Sequence, residues 1–206
     1  MEEKNITEQE SLLIIQQMIH TAKREQKNDG KGWIIWGWLI FGASVFTYFN
    51  LQFEWVPVFF FWNLFGLAAL LLISYNIVQF FLKRRGERVK TYTRDLFQKL
   101  NIGFFISLML IIFSMNLGVD PKKGFALLLG LYGFWILIYG AVLNFKPSMA
   151  GAFVTWACAF ASLFAKTFET TMLLHAFAVL CGYIIPGHMA NSAFKKLTLK
   201  TKYNSV

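Results

Sequence analysis

His175 and Cys158 are the residues of this chain best placed to do chemistry. Both fall inside long apolar runs, on either side of a two-residue turn at Lys166-Thr167. A tight hairpin there sets Cys158 level with His175 on the neighbouring helix. A thiol beside an imidazole could act as nucleophile and base, or as half of a metal site. Neither constellation is complete. A metal site needs three or four ligands, and Glu169 lies six residues, nearly two helical turns, from His175. Haem held by two histidines needs both at one depth on facing helices. His175 and His188 lie on one predicted helix, about 20 Å apart by helical rise, and His20 precedes the apolar runs. The plainer reading is a histidine hydrogen-bonded inside a helix bundle beside an inert buried thiol. Asn63 and Asn76 are the other polar side chains expected at depth. His175, Cys158, Asn63, Asn76 and Glu169 therefore make up the candidate intramembrane polar site.

Other chemistries lack their residues. Intramembrane proteolysis needs paired carboxylates, a Ser–His couple or a zinc motif, and no carboxylate lies at depth. Phosphate or nucleotide chemistry needs a Gly-rich loop with Lys or Mg²⁺-binding carboxylates, and none is present. No cofactor or metal is expected, and the chain reads as a non-enzyme. Cys158 and Cys181 imply no disulfide framework.

The elements that must position these residues follow from composition. Of 206 residues, 56% are hydrophobic and only 15% charged, and 23 are Phe. Soluble chains carry roughly 25% charge. Spanning a hydrocarbon core takes about 20 apolar residues as a helix. The candidate spans cover residues 33–50, 55–82, 100–118, 123–144, 149–166 and 168–188. The fold class expected is all-α: a polytopic membrane bundle of six transmembrane helices in residues 33–189. An N-terminal amphipathic cytoplasmic helix within residues 1–32 precedes it, and a basic tail, 190–206, follows.

Basic residues set the orientation. Five lie before the first span, seven in the 83–99 loop, one at Lys146 and four in the tail. Only Lys122, Lys123 and Lys166 lie on the other side. The positive-inside bias puts both termini in the cytoplasm, with the protein in a bacterial inner membrane. Trp33, Trp36 and Trp55 fall near predicted interfaces. Thr7 to Glu10 form a capping box for the N-terminal helix, whose apolar stripe includes Leu12, Ile15 and Ile19, and Asn28-Asp29-Gly30 stops it. That helix could lie on the inner leaflet or dock a cytoplasmic protein partner. Lys83, Arg84, Arg85 and Arg88 follow the second span and could meet anionic lipid headgroups, or act as a topology signal alone. Nucleic-acid binding is not expected, because the loop is short and carries no reading motif.

Packing signals are small residues at four-residue spacing: Ala157, Ala161 and Ala165 on the fifth span, Ala178 and Gly182 on the sixth, Ala126 and Gly130 on the fourth. Pro186-Gly187 is expected to end the sixth helix. Trp38 to Ala43 echoes Ile136 to Ala141, a hint of the inverted halves found in transporters.

The chain resembles uncharacterised bacterial six-span membrane proteins of about 200 residues. The resemblance rests on Glu10-Ser11-Leu12, Trp36-Gly37, Phe145-Lys146-Pro147 and Ile185-Pro186-Gly187. It implies the six-span layout and carries over no site residue, since that family has no established activity. It also points loosely to proteins that accompany winged-helix regulators. The expectation is a sensor or regulatory subunit engaging a cytoplasmic partner. The alternative is a small transporter or channel for an apolar or weakly polar solute. A homo-oligomer fits either.

Overall fold

The computed structural model describes residues 30–82 and 92–203, except for the side chains of 76, 77, 80–82, 92–95 and 197–203. The amphipathic helix expected within residues 1–32 falls before residue 30, and it and Lys83, Arg84, Arg85 and Arg88 lie outside the described residues. Each apolar stretch becomes a helix: α1 (Lys31–Phe53), α2 (Phe60–Leu82), α3 (Tyr92–Asn116), α4 (Pro121–Val142), α5 (Lys146–Leu163) and α6 (Phe168–Val179). A five-residue π turn, Leu180–Ile184, joins α6 to α7 (Ile185–Tyr203). No strand occurs among the described residues.

Local chemistry sets the helix ends. Asp120 caps α4 by accepting from the Lys122 backbone N–H at 3.0 Å, and Pro121 follows where its missing N–H costs nothing. Thr167 caps α6 by accepting from the Thr170 N–H at 3.3 Å, with Glu169 in the first turn. Asn50, buried at the end of α1, clamps the turn that follows. Its Nδ2 donates to the Val56 carbonyl at 2.8 Å and its Oδ1 accepts from the Val56 N–H at 2.9 Å. This clamp keeps residues 54–59 out of α2, which therefore starts later than hydropathy predicts.

Among the described residues, four helical stretches are long and apolar enough to cross a membrane: Lys31–Phe53, Leu96–Asn116, Pro121–Val142 and Phe168–Lys196. The part of α2 whose side chains are described without a break, Phe60–Tyr75, is apolar as well. Helix α5 is rich in Ala, Gly, Ser and Thr, which lowers its apolarity. Successive helices alternate in direction. Trp33, Phe97 and Tyr139 meet at the end where α1 begins, and Lys122 reaches the Lys166 carbonyl at the other.

The core belongs to α1, α4, α5 and α6, around Leu129, Ile136, Ala152, Met172, Ala178 and Val179. Helices α2 and α3 are outriggers. Helix α2 lies along α1 and α3 along α4, and among the described residues the two keep their Cα atoms more than 8 Å apart. Their outer faces are apolar: Leu71 is 64% exposed, Ile106 65% and Leu110 69%. Water would penalise such faces, and a lipid bilayer suits them. The protein is membrane-embedded by the character of its helices.

Two sequence expectations change. Ala157 and Ala161 turn outward and are exposed. The buried face of α5 is instead Ser148, Gly151, Ala152, Thr155, Cys158, Ala159 and Ser162. Four-residue spacing holds for several stripes on one helix, and spacing alone does not say which stripe faces in. Pro186 also fails to end the last helix. A proline ring ordinarily clashes with the carbonyl four residues back. The π turn immediately before it widens the backbone there, the Ile185 N–H bonds the Leu180 carbonyl, and the helix runs on to Tyr203. The boundary expected between bundle and tail near residue 189 therefore falls inside one helix.

Backbone contact at Gly151 allows this wide turn. A Cβ at Gly151 would stand 2.6 Å from the Cys181 carbonyl oxygen, and one at Gly182 would stand 2.7 Å from Thr155 Oγ1. Gly151→Val is therefore expected to destabilise the protein by about 1–3 kcal/mol through overpacking. Ala157→Val, on the outward face, should change stability by less than about 0.5 kcal/mol. Thermal unfolding of both variants in the same detergent checks the pair, and equal shifts would contradict the assigned faces.

Candidate functional site

His175 is fully buried on α6. Its partner is Ser44 of α1, with Oγ 3.0 Å from Nδ1. Ser44 Oγ also lies 2.8 Å from the carbonyl of Ile40, one turn back on α1, so the hydroxyl stands between the two contacts. The pair joins the first core helix to the last.

An aromatic box surrounds the ring. Trp62 from α2 meets it edge-on with centroids 5.2 Å apart. Phe125 and Tyr132 from α4 do so at 5.6 and 5.8 Å. Edge-to-face contacts are worth about 0.5–1.5 kcal/mol each beyond burial, so the box fixes the ring plane. The aromatics continue from Tyr132 to Tyr183, centroids 6.1 Å apart, and from Tyr183 to Trp33 at 5.6 Å, reaching the end where the described chain begins.

The expected site residues are carried by α2, α5 and α6. Cys158 is buried on α5, but the hydrogen-bond partner of His175 is on α1. The hairpin sets depth and not rotation, so residues at one level need not face each other. Asn63 is exposed, while its neighbour Trp62 turns inward. Asn76 lies on α2, beyond the described side chains. Glu169 sits in the first turn of α6, near its capped end. Among the described residues, no three His, Cys, Asp or Glu side chains come together in a way that could hold a metal.

The residues that sequence reasoning missed are small hydroxyls and an indole. Thr155 Oγ1 donates to the Gly151 carbonyl at 2.8 Å and reaches the Ala178 carbonyl of α6 at 3.4 Å. Ser148 Oγ donates to the Ile136 carbonyl at 3.1 Å, and Trp156 Nε1 to the Gly130 carbonyl at 3.0 Å, both tying α5 to α4. A buried Ser or Thr at the small-residue positions of an apolar helix was the available signal.

The site therefore sets a buried imidazole, paired with Ser44, within an uncharged aromatic enclosure. Ser44→Ala is expected to destabilise the protein by about 1 kcal/mol, because His175 Nδ1 is left unpaired in the core. Asn63→Ala should be near neutral. Chemical unfolding in mixed micelles measures both, and a neutral Ser44→Ala would contradict the pairing. No protein-family model, curated protein or solved structure matches the chain.

Proposed function

We propose that the chain is a non-enzymatic, six-span protein of the cytoplasmic membrane that acts as a sensor or regulatory subunit. Both termini lie in the cytoplasm, as the distribution of Lys and Arg implies. The N-terminal amphipathic helix, the basic loop after α2 and the tail engage a soluble partner. Lys83, Arg84, Arg85 and Arg88 hold that surface against anionic lipid, at about 1 kcal/mol per basic residue near the headgroups.

One observation carries this reading. The two helices that share the buried Ser44–His175 pair are also the two that lead to the chain's ends. They cross backbone to backbone there. Gly30, with φ of 69°, caps α1 directly against the Gly187 carbonyl of α7, so that a Cβ at Gly30 would collide with it. A Cβ at Gly187 would stand 2.9 Å from Ile34 Cγ1. Any shift between α1 and α6 at the histidine has a continuous helical route to the point where the N-terminal segment and tail emerge. A rigid coupling of this kind is what a relay needs. The transporter reading is less well supported, since Ser148, Thr155 and Trp156 use their polar groups to join helices and none lines a path.

The test is recovery of partners from native membranes in mild detergent. The full chain should retain a soluble cytoplasmic protein in stoichiometric amount, and a variant lacking residues 1–28 should lose it while still inserting. A bare chain or homo-oligomer from both preparations would contradict the proposal.

A further inference from the structure

The end of the bundle away from the chain's termini forms a tied rim. Asn50 clamps the turn between α1 and α2 at Val56, with bonds of 2.8 and 2.9 Å. Phe59 of that turn meets Phe168 at the start of α6, centroids 6.0 Å apart. Lys122, at the start of α4, reaches the Lys166 carbonyl between α5 and α6 at 3.5 Å. The three turns at this end therefore hold one another in place.

Each turn carries a large apolar side chain in the open. Trp55 is 62% exposed and stacks on Phe53, with centroids 5.2 Å apart. Leu117 is 74% exposed and Phe164 85%, more than any other large apolar side chain among the described residues.

Two observations say what covers these tips. The 18 residues of α5 rise about 27 Å, less than the roughly 30 Å of a hydrocarbon core. With Lys146 held at one interface, Phe164 comes no further than the edge of the hydrocarbon on the other side. The charges of the rim also cancel: Glu54, Asp120 and Glu169 stand against Lys122, Lys123 and Lys166. Such a rim exerts no net pull on a strongly charged partner. It suits the boundary between headgroups and acyl chains, where an indole keeps its N–H wet and its ring in lipid. Because the turns are tied beforehand, inserting them orders little that is not already ordered.

We infer that this rim is an interfacial anchor: a docking surface for the headgroup–acyl boundary of the leaflet on that side, entered by Trp55, Leu117 and Phe164. Anchoring there is independent of the partner proposed at the opposite end, which the recovery experiment reads separately.

The test uses the full chain labelled with fluorotryptophan, in nanodiscs of phosphatidylethanolamine and phosphatidylglycerol. The ¹⁹F signal of Trp55 is assigned by its loss in Trp55→Phe. Leu117→Trp and Phe164→Trp each add one signal at a position too exposed to disturb packing. Lys196→Trp gives the water-facing reference, because Phe168–Lys196 spans 29 residues, more than a bilayer core requires. A spin label near the headgroup end of the acyl chains should erase the three rim signals. A gadolinium chelate dissolved in the water should erase the reference and leave the rim signals visible. Erasure of the rim signals by the chelate as readily as the reference would overturn the anchor and place the tips in water. Survival against both probes would also overturn it, assigning the tips to a protein surface such as a second copy. A spin label at the bilayer centre acting more strongly than one near the headgroups would overturn the interfacial depth. Trp55 reports without any substitution, so failure of either added tryptophan to fold leaves the test intact.

Discussion

In hydrocarbon a polar side chain must find its partner inside the protein, and the bond from His175 to Ser44 meets that demand across the whole bundle. It links helices 131 residues apart in sequence. The serine also contacts the Ile40 carbonyl of its own helix, so one small hydroxyl ties the histidine to the backbone of α1. The aromatic box then fixes the ring plane.

The rest of the bundle keeps α1 and α6 at the separation this bond requires. Thr155 and Gly151 hold α5 close to α6, and Ser148 and Trp156 hold α5 to α4. The π turn lets the last helix carry Pro186 without stopping, so α6 and α7 act as one rod past the crossing of Gly30 and Gly187. Helices α2 and α3 contribute little to this frame. They present apolar faces outward and aromatics inward, and Trp62 of α2 reaches the histidine.

Much of the helical layout was legible in the sequence, because hydropathy over about 20 residues reports burial in hydrocarbon directly. His175 was legible for a related reason: an ionisable residue at depth stands out in so apolar a chain. Its partner was not. Ser44 looks inert within Phe-Gly-Ala-Ser-Val-Phe, and nothing local signals a contact with residue 175. Depth arithmetic around the Lys166-Thr167 turn pointed to Cys158, since it fixes height along a helix and says nothing of rotation about it. The alanine stripe on α5 failed similarly, in phase and not in period. At Pro186 a sound local rule was overridden by a backbone adjustment that glycines at 151 and 182 make room for.

The central claim is that Ser44 and His175 are energetically coupled across α1 and α6. A double-mutant cycle in bilayers or mixed micelles, using Ser44→Ala, His175→Phe and the double variant, measures that coupling with little interference from size or burial. The account predicts a favourable coupling of about 1 kcal/mol, in the range found for hydrogen bonds between membrane helices. Strict additivity of the two substitutions would contradict it, because it would leave the first and last core helices joined by shape alone.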